Sequence, residues 1–325
     1  MNFEKEYCRY RTLVDNYLSR FIKEEKPKTV YEPVRYVLEG GGKRIRPVLL
    51  LLSCEVVGGR RRDAIHAGAG IEILHNFTLV HDDIMDHAAS RRGRATVHTK
   101  WDSNVAILVG DELLALAYRA LLRTESVHIR KIAKLFTEGV VEVCEGQGFD
   151  KEFETRSGVT VDDYLLMIRK KTGKMITVAT EIGAVIGSAS DRQAKALRAY
   201  GQHVGRAFQL QDDLLDIIGD EREFGKVVGG DVMEGKKTFL LLEAFRRARG
   251  KDRALLRSAF RNGGVSRSGV AEVRRIYFET GVIDATRAAV RRESTRAKTR
   301  LQSLPASNAR ALLLWMTDML LNRTH

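Results

Sequence analysis

Asp82, Asp83 and Asp86 close the apolar stretch Phe77-Thr78-Leu79-Val80-His81, and Asp212, Asp213 and Asp216 repeat the same DDxxD spacing in an equally apolar setting. In a helix of 3.6 residues per turn, the first and last carboxylates of each motif lie one above the other on one face. Two carboxylates a turn apart can grip a hard divalent cation such as Mg2+, which takes a few protein oxygens and completes its shell with water or phosphate. One such motif alone reads as a solvated acidic patch. Two with identical spacing call for a shared ligand. Six carboxylates converging without a cation would repel and raise one another's pKa, so all six are candidate metal residues, and a diphosphate could complete the coordination.

The cations follow the same logic. Gly40-Gly41-Gly42-Lys43-Arg44-Ile45-Arg46-Pro47 frees the backbone to approach an anion and adds Lys43 and Arg46 as donors. It is not a P-loop, because the GxxxxGK[ST] frame is absent. Arg91 and Arg92 follow the first acidic motif, and arginine pairs suit phosphate oxygens. Lys171-Thr172 enters an apolar helix, and by itself reads as a solvated turn. The glycine-rich run from Gly219 to Thr238 carries Lys226, Lys236 and Lys237, as a lid over an anion would need. Together, Lys43, Arg46, Arg91, Arg92, Lys171, Lys226 and Lys236 supply the cationic half of a diphosphate site. A charged rim over an apolar, helix-lined interior suits a diphosphate head with a hydrocarbon tail.

Helices must position these groups. The composition, rich in Ala, Leu, Arg, Glu and Lys with only 4 Pro, favours a mostly helical chain. Helical spacing runs over residues 1 to 26, after which Pro27 and Pro33 read as bracketing a turn. Pro47 fits the first turn of the next helix. In the helix from about Ala64, Ile71, His75, Thr78, Asp82 and Asp86 share one face, which places His75 on the acidic face. Ala95 to Arg123 reads as helix, with Gly110 at a helix–helix approach, and Glu145 to Gly158 reads as polar loop. Thr160-Val161-Asp162-Asp163 reads as a capping box, so that acidic pair is assigned to capping and not to metal. Tyr200 to Ile218 forms a strongly apolar helix in which Phe208 and Gln209 share the face of Asp212 and Asp216.

Length and charge exclude several classes. At 325 residues the chain allows one large or two ordinary domains. The formal charge of +13 invites nucleic acid, but the excess arginines scatter through the C-terminal third with few aromatics interleaved, so no nucleic-acid role is expected. The 3 cysteines form no CxxC pair and fit a reducing cytosol. The charged N-terminus reads as no signal peptide, and Met175 to Ser190, interrupted by Glu181, is too short for a membrane span.

In their order along residues 38 to 240, Gly41-Gly42-Lys43-Arg44-Ile45-Arg46-Pro47, Asp82-Asp83-Ile84-Met85-Asp86 with Arg91-Arg92-Gly93, Lys171-Thr172, Phe208 to Asp216, Gly225-Lys226 and Gly235-Lys236-Lys237-Thr238 resemble the trans-isoprenyl diphosphate synthase family. The resemblance implies an all-α single domain over 1–325, a large helical bundle around a deep central cavity, paired as a homodimer. It implies head-to-tail 1'-4 condensation of isopentenyl diphosphate with an allylic diphosphate, using two or three Mg2+ ions. Asp82, Asp86 and Asp212 would hold the metal on the allylic diphosphate. Arg91, Lys171, Lys226 and Lys236 would neutralise that leaving group. Lys43, Arg46, His75 and Arg92 would hold isopentenyl diphosphate, while Thr172 and Gln209 would face the allylic carbon.

Chain length falls to the residues just upstream of the first motif. Phe77 with the small Thr78 resembles archaeal-type geranylgeranyl diphosphate synthases and implies a C20 product, with C15 and C25 open. The helical wheel supports Thr78 as a neighbour of the aspartates, whereas Phe77 falls about 140° away. An HD-type phosphohydrolase would leave the second DDxxD unexplained. A terpene cyclase would leave Lys43 and Arg46 without a substrate. A non-catalytic partner subunit of a prenyl synthase usually lacks one acidic motif, and this chain keeps both.

Overall fold

The computed structural model of the protein describes residues 2–22, 25–219, 228–261 and 263–321. The fold is all-α, and among the described residues the only strands are β1 (Ser90–Arg91) and β2 (Arg94–Ala95), an antiparallel hairpin. The first helices are α1 (Phe3–Phe21), α2 (Lys28–Leu38), α3 (Ile45–Val56), α4 (Arg61–Met85), α5 (Val97–Lys100), α6 (Ser103–Leu121) and α7 (Ile129–Thr155). Then come α8 (Val161–Ile168), a π-helical turn (Arg169–Gly173), α9 (Lys174–Ile186) and α10 (Asp191–Ile218). The rest are α11 (Gly230–Met233), α12 (Phe239–Arg247), α13 (Gly250–Arg261), α14 (Val270–Glu279), α15 (Val282–Leu301) and α16 (Asn308–Leu321). No helix among the described residues is long and apolar enough to cross a membrane.

The chain divides into two compact units. One comprises Met1–Thr137, Val178–Arg198 and Ser303–Trp315; the other comprises Glu138–Thr177, Ala199–Gln302 and Met316–His325. In the first unit, the middle of α3 is apolar on every side, and Val48 through Leu52 have no exposed surface. A helix that is apolar all round has to be central, and each such side chain contributes roughly 1.5–3 kcal/mol relative to staying in water. Helix α4 lies close against α6: a methyl built on Gly110 would stand 2.0 Å from the His81 ring. The glycine expected at a helix–helix approach is therefore the one that lets His81 pack.

In the second unit, Leu214 and Ile217 of α10 pack with Leu240 and Leu241 of α12, Ile276 and Tyr277 of α14, and Val282 and Ile283 of α15. Thr160 and Asp163 form the expected reciprocal capping box at the start of α8.

Three local expectations are corrected. Pro27 and Pro33 do not bracket a turn: Pro27 precedes α2 and Pro33 lies inside it, because Val30, Pro33, Val34 and Leu38 form one buried stripe whose packing outweighs the lost N–H. Ala95 to Arg123 is not continuous helix. The hairpin and the short α5 interrupt it before Asp102, whose side chain accepts from Val105 N–H and caps α6. Glu145 to Gly158 is not loop, since α7 runs through Thr155. Its glycines read as breakers, but one of them is required by packing, as described next.

Candidate active site

In the first unit the acidic motif ends α4. Asp82 and Asp83 lie in the last turn, and Asp86 is the C-cap, its N–H donating to the Asp82 carbonyl at 2.8 Å. No basic residue occupies that turn. Carboxylates at the end of a helix meet the negative pole of its dipole, an arrangement that costs stability until a cation arrives. The second motif repeats the placement, with Asp212, Asp213 and Asp216 in the closing turns of α10, again with no basic residue in the last turn.

The middle aspartates separate from the outer ones. Asp83 is buried, and its Oδ1 accepts from Arg91 Nε at 2.7 Å. Burial holds its carboxyl above the usual range even though Arg91 pulls the other way. Asp213 is buried too, with Tyr164 Oη at 2.5 Å from Oδ2 and Gln209 Nε2 at 2.9 Å from Oδ1. Burial, with Asp231 nearby, pushes it well up. Spacing groups Asp83 and Asp213 with the metal residues, and both also accept from protein donors. Asp82, Asp212 and Asp216 are half-buried and Asp86 is exposed.

The hairpin delivers the arginines. Arg92 and Gly93 sit at its tip with φ of 53° and 73°, the two positive values that a two-residue turn of this twist demands. Arg92 Nη1 donates to the Gly41 carbonyl. Gly42 has φ 143°, and a methyl there would stand 3.0 Å from the same guanidinium, so the glycine loop is shaped to admit Arg92. Tyr7 Oη donates to the Lys43 carbonyl, which ties the loop to α1. His75, half-buried on α4, is held well below its ordinary pKa by burial and then by Arg46, Arg92, Arg91 and Arg44. A neutral imidazole among guanidiniums is a place that favours an anion.

Arg44, which the motif reading passes over, holds this unit together. It bonds Asp15 Oδ1 and Glu72 Oε1 at 2.8 Å each and donates to the Leu38 carbonyl at 2.9 Å. Thr78 Oγ1 turns back to the His75 carbonyl at 2.8 Å. Phe77 is buried with its ring edge against His81, centroids 4.8 Å apart, so it lies toward α6.

In the second unit, Lys171 and Thr172 stand on the π-helical turn, a distortion that recurs at functional sites. Lys171 Nζ lies 2.6 Å from Asp150 Oδ2. Thr172 Oγ1 donates to Gln209 Oε1 at 2.8 Å. With Asp213, Asp231 and Lys236 these residues line a cavity of about 110 Å³. Lys236 Nζ lies 2.7 Å from Glu234 Oε2. Lys237 instead donates to the carbonyls of Phe153, Glu154 and Arg156, closing the C-terminal end of α7. Lys226 lies outside the described residues.

Asp150 and Asp231 are missed by motif spacing. Asp150 is hidden by the loop reading of α7; on a helix it follows Gly146 by one turn and shares its face. Asp231 is one of several acids in the Gly219-to-Thr238 run and has no spacing signal. Gly146 is where α7 meets the π-helical turn, since a methyl there would stand 2.3 Å from Lys171 N. Gly146→Ala should cost about 1–3 kcal/mol through overpacking and lower turnover by moving Lys171 and Thr172. Gly148→Ala, which meets nothing within 4 Å, should gain up to roughly 1 kcal/mol from helix propensity. Thermal melts and steady-state rates check both, and equal behaviour of the two variants would refute the contact.

Among the described residues no three His, Cys, Asp or Glu side chains gather closely enough to enclose a metal ion. A hard cation at either helix end would take water or phosphate oxygens for the rest of its shell. The donor set, oxygen only and placed at helix carbonyl ends, fits Mg2+.

Residues 27–277 match the family model described as polyprenyl synthetase. The chain is 39% identical to a short chain isoprenyl diphosphate synthase of Methanothermobacter thermautotrophicus, over 98% of this chain and 97% of that protein. It is 40% identical to a geranylgeranyl pyrophosphate synthase of Geoglobus acetivorans, over 96% and 97%. Its fold matches the crystal structure of geranylgeranyl pyrophosphate synthetase from Pyrococcus horikoshii with a TM-score of 0.93 at 37% identity, covering 99% of this chain and 100% of that one.

Proposed function

Because this chain belongs to the polyprenyl synthetase family, we propose that it condenses isopentenyl diphosphate head to tail (1'-4) with an allylic diphosphate and releases the C20 product, geranylgeranyl diphosphate. It is a prenyltransferase. The observation that carries this reading is the repeated design of α4 and α10, each a long helix that ends on a DDxxD motif with no basic residue in its last turn. We take the two units as parts of one catalytic domain over residues 1–325, acting in the cytoplasm as a homodimer. Ile107 and Leu108 of α6, each 48% exposed, are apolar surface that such pairing would cover.

In this reading Asp82, Asp86 and Asp212 hold two or three Mg2+ ions, with Asp216 beside them, while Asp83 and Asp213 orient Arg91 and Gln209. Bound Mg2+ supplies positive charge to the departing allylic diphosphate. Arg91, Lys171, Lys226 and Lys236 add to that charge where it develops, which is electrostatic catalysis. Lys43, Arg46, Arg92 and His75 hold isopentenyl diphosphate. Thr172 and Gln209 face the allylic carbon. No side-chain nucleophile is needed, and the released diphosphate serves as the base.

The test is incubation with labelled isopentenyl diphosphate, farnesyl diphosphate and Mg2+, followed by product chromatography. Elongation to C20 is expected, and diphosphate hydrolysis without elongation would sink the reading. Phe77→Ala should shift products beyond C20, because a displacement of one helical turn, about 5.4 Å, is roughly one isoprene unit. An unchanged distribution would place the floor of the hydrocarbon site elsewhere.

A further inference from the structure

Four side chains of the second unit form an unbroken hydrogen-bonded row across α8, the π-helical turn and α10. Tyr164 Oη donates to Asp213 Oδ2 at 2.5 Å, Gln209 Nε2 donates to Asp213 Oδ1 at 2.9 Å, and Thr172 Oγ1 donates to Gln209 Oε1 at 2.8 Å. Tyr164 and Asp213 are buried, whereas Gln209 and Thr172 are half-buried along the cavity.

The row has a direction. Gln209 turns its NH2 toward Asp213 Oδ1, which leaves its carbonyl, an acceptor only, for Thr172. Thr172 has a single hydroxyl proton, and Gln209 Oε1 takes it. What Thr172 then offers the cavity is oxygen lone pairs. A free threonine would rotate its hydroxyl and present a proton as readily, and a proton facing a developing carbocation is repulsive. The direction originates at the buried end, where Tyr164 holds one carboxylate oxygen so that the other stays aimed at Gln209.

We propose that Tyr164 is a positioning residue for prenyl transfer, acting through Asp213 and Gln209 to aim the Thr172 oxygen at the allylic carbon. The proposal rests on the reading above that Thr172 faces that carbon. It explains why the position carries tyrosine and not phenylalanine: the ring packs beside Phe239, centroids 6.4 Å apart, and either aromatic would fill that space, but only tyrosine can donate. It also gives the middle aspartate of the second motif a task distinct from that of its neighbours.

A double-mutant cycle tests it. Tyr164→Phe should lower kcat about tenfold, the scale of one hydrogen bond to a charged group, with KM for isopentenyl diphosphate changed less than twofold. If the two residues act as one unit, Tyr164→Phe added to Thr172→Ala should slow the enzyme no further than Thr172→Ala alone. Additive losses, or a wild-type rate for Tyr164→Phe, would overturn the proposal. A wild-type rate for Thr172→Ala would instead overturn the site reading beneath it. Should Tyr164→Phe fail to fold, as judged by far-UV circular dichroism, Asp213→Asn takes its place in the same cycle. Its amide can present a donor to Gln209 and reverse the row, so masking by Thr172→Ala supports the proposal and additivity refutes it.

Discussion

Asp82→Asn is expected to lower turnover about 100-fold or more, and Asp212→Asn by a similar factor, as when a charge stabiliser of the transition state is lost. Asparagine keeps the volume and polarity of aspartate but removes the negative charge. The backbone bond from Asp86 N–H to the Asp82 carbonyl does not involve the side chain, so the end of α4 should survive the change. In fact the folded state should tolerate it well, because a carboxylate at a helix C-terminus opposes the dipole by roughly 0.3–1 kcal/mol. Loss of activity with unchanged or slightly raised thermal stability is therefore the expected signature. A second readout separates binding from turnover: Mg2+-dependent binding of an allylic diphosphate, followed by calorimetry, should weaken in both variants. Asp162→Asn is the control, since that exposed acid lies in the first turn of α8 and serves the helix start. Rates near wild type in Asp82→Asn would reduce the motif to a surface patch.

Arg44→Met should cost about 3–5 kcal/mol of stability, the range for breaking a buried ion pair from one side. The Arg44 and Glu72 side chains are 3% and 2% exposed, with 2.8 Å between Nη1 and Oε1. Methionine fills much of the volume but leaves the Glu72 carboxylate buried without its guanidinium, and the Leu38 carbonyl loses a donor as well. The melting temperature should fall on the order of 10 °C. Adding Glu72→Gln should recover part of the loss, since the orphaned charge is then gone. Arg44 is also the left-handed residue that opens α3, at φ 48°, between Lys43 and Arg46, so KM for isopentenyl diphosphate should rise in the single variant. An unchanged melting temperature would show that the pair is not what holds this loop.

The two DDxxD motifs, the Gly40-to-Pro47 loop and the Thr160 capping box could all be read directly from residues, because each is a local pattern. Spacing of i and i+4 implies a shared helix face, and a threonine three residues before an acid implies a helix start. Where local signals failed, they failed against packing. Pro33 reads as a breaker, yet it sits inside α2 because Val30, Val34 and Leu38 bury the same stripe. Gly146 reads as loop, yet it lies in α7 because the backbone at Lys171 leaves no room for a side chain.

The sequence by itself determined the helical class and the spacing of the two carboxylate motifs at the ends of their helices. Period and charge pattern are properties of neighbouring residues, and they persist whatever the chain later packs against. Tertiary structure decided the surroundings of the residues within each motif. Asp82 and Asp83 are adjacent and chemically identical, but Asp83 is buried against Arg91 while Asp82 is half-buried. Asp212 and Asp213 divide in the same way, because Tyr164 and Gln209 reach only one of them. Tyr164 lies 49 residues from Asp213, and Arg44 lies 28 from Glu72. No local pattern can anticipate partners that meet only when separate helices pack.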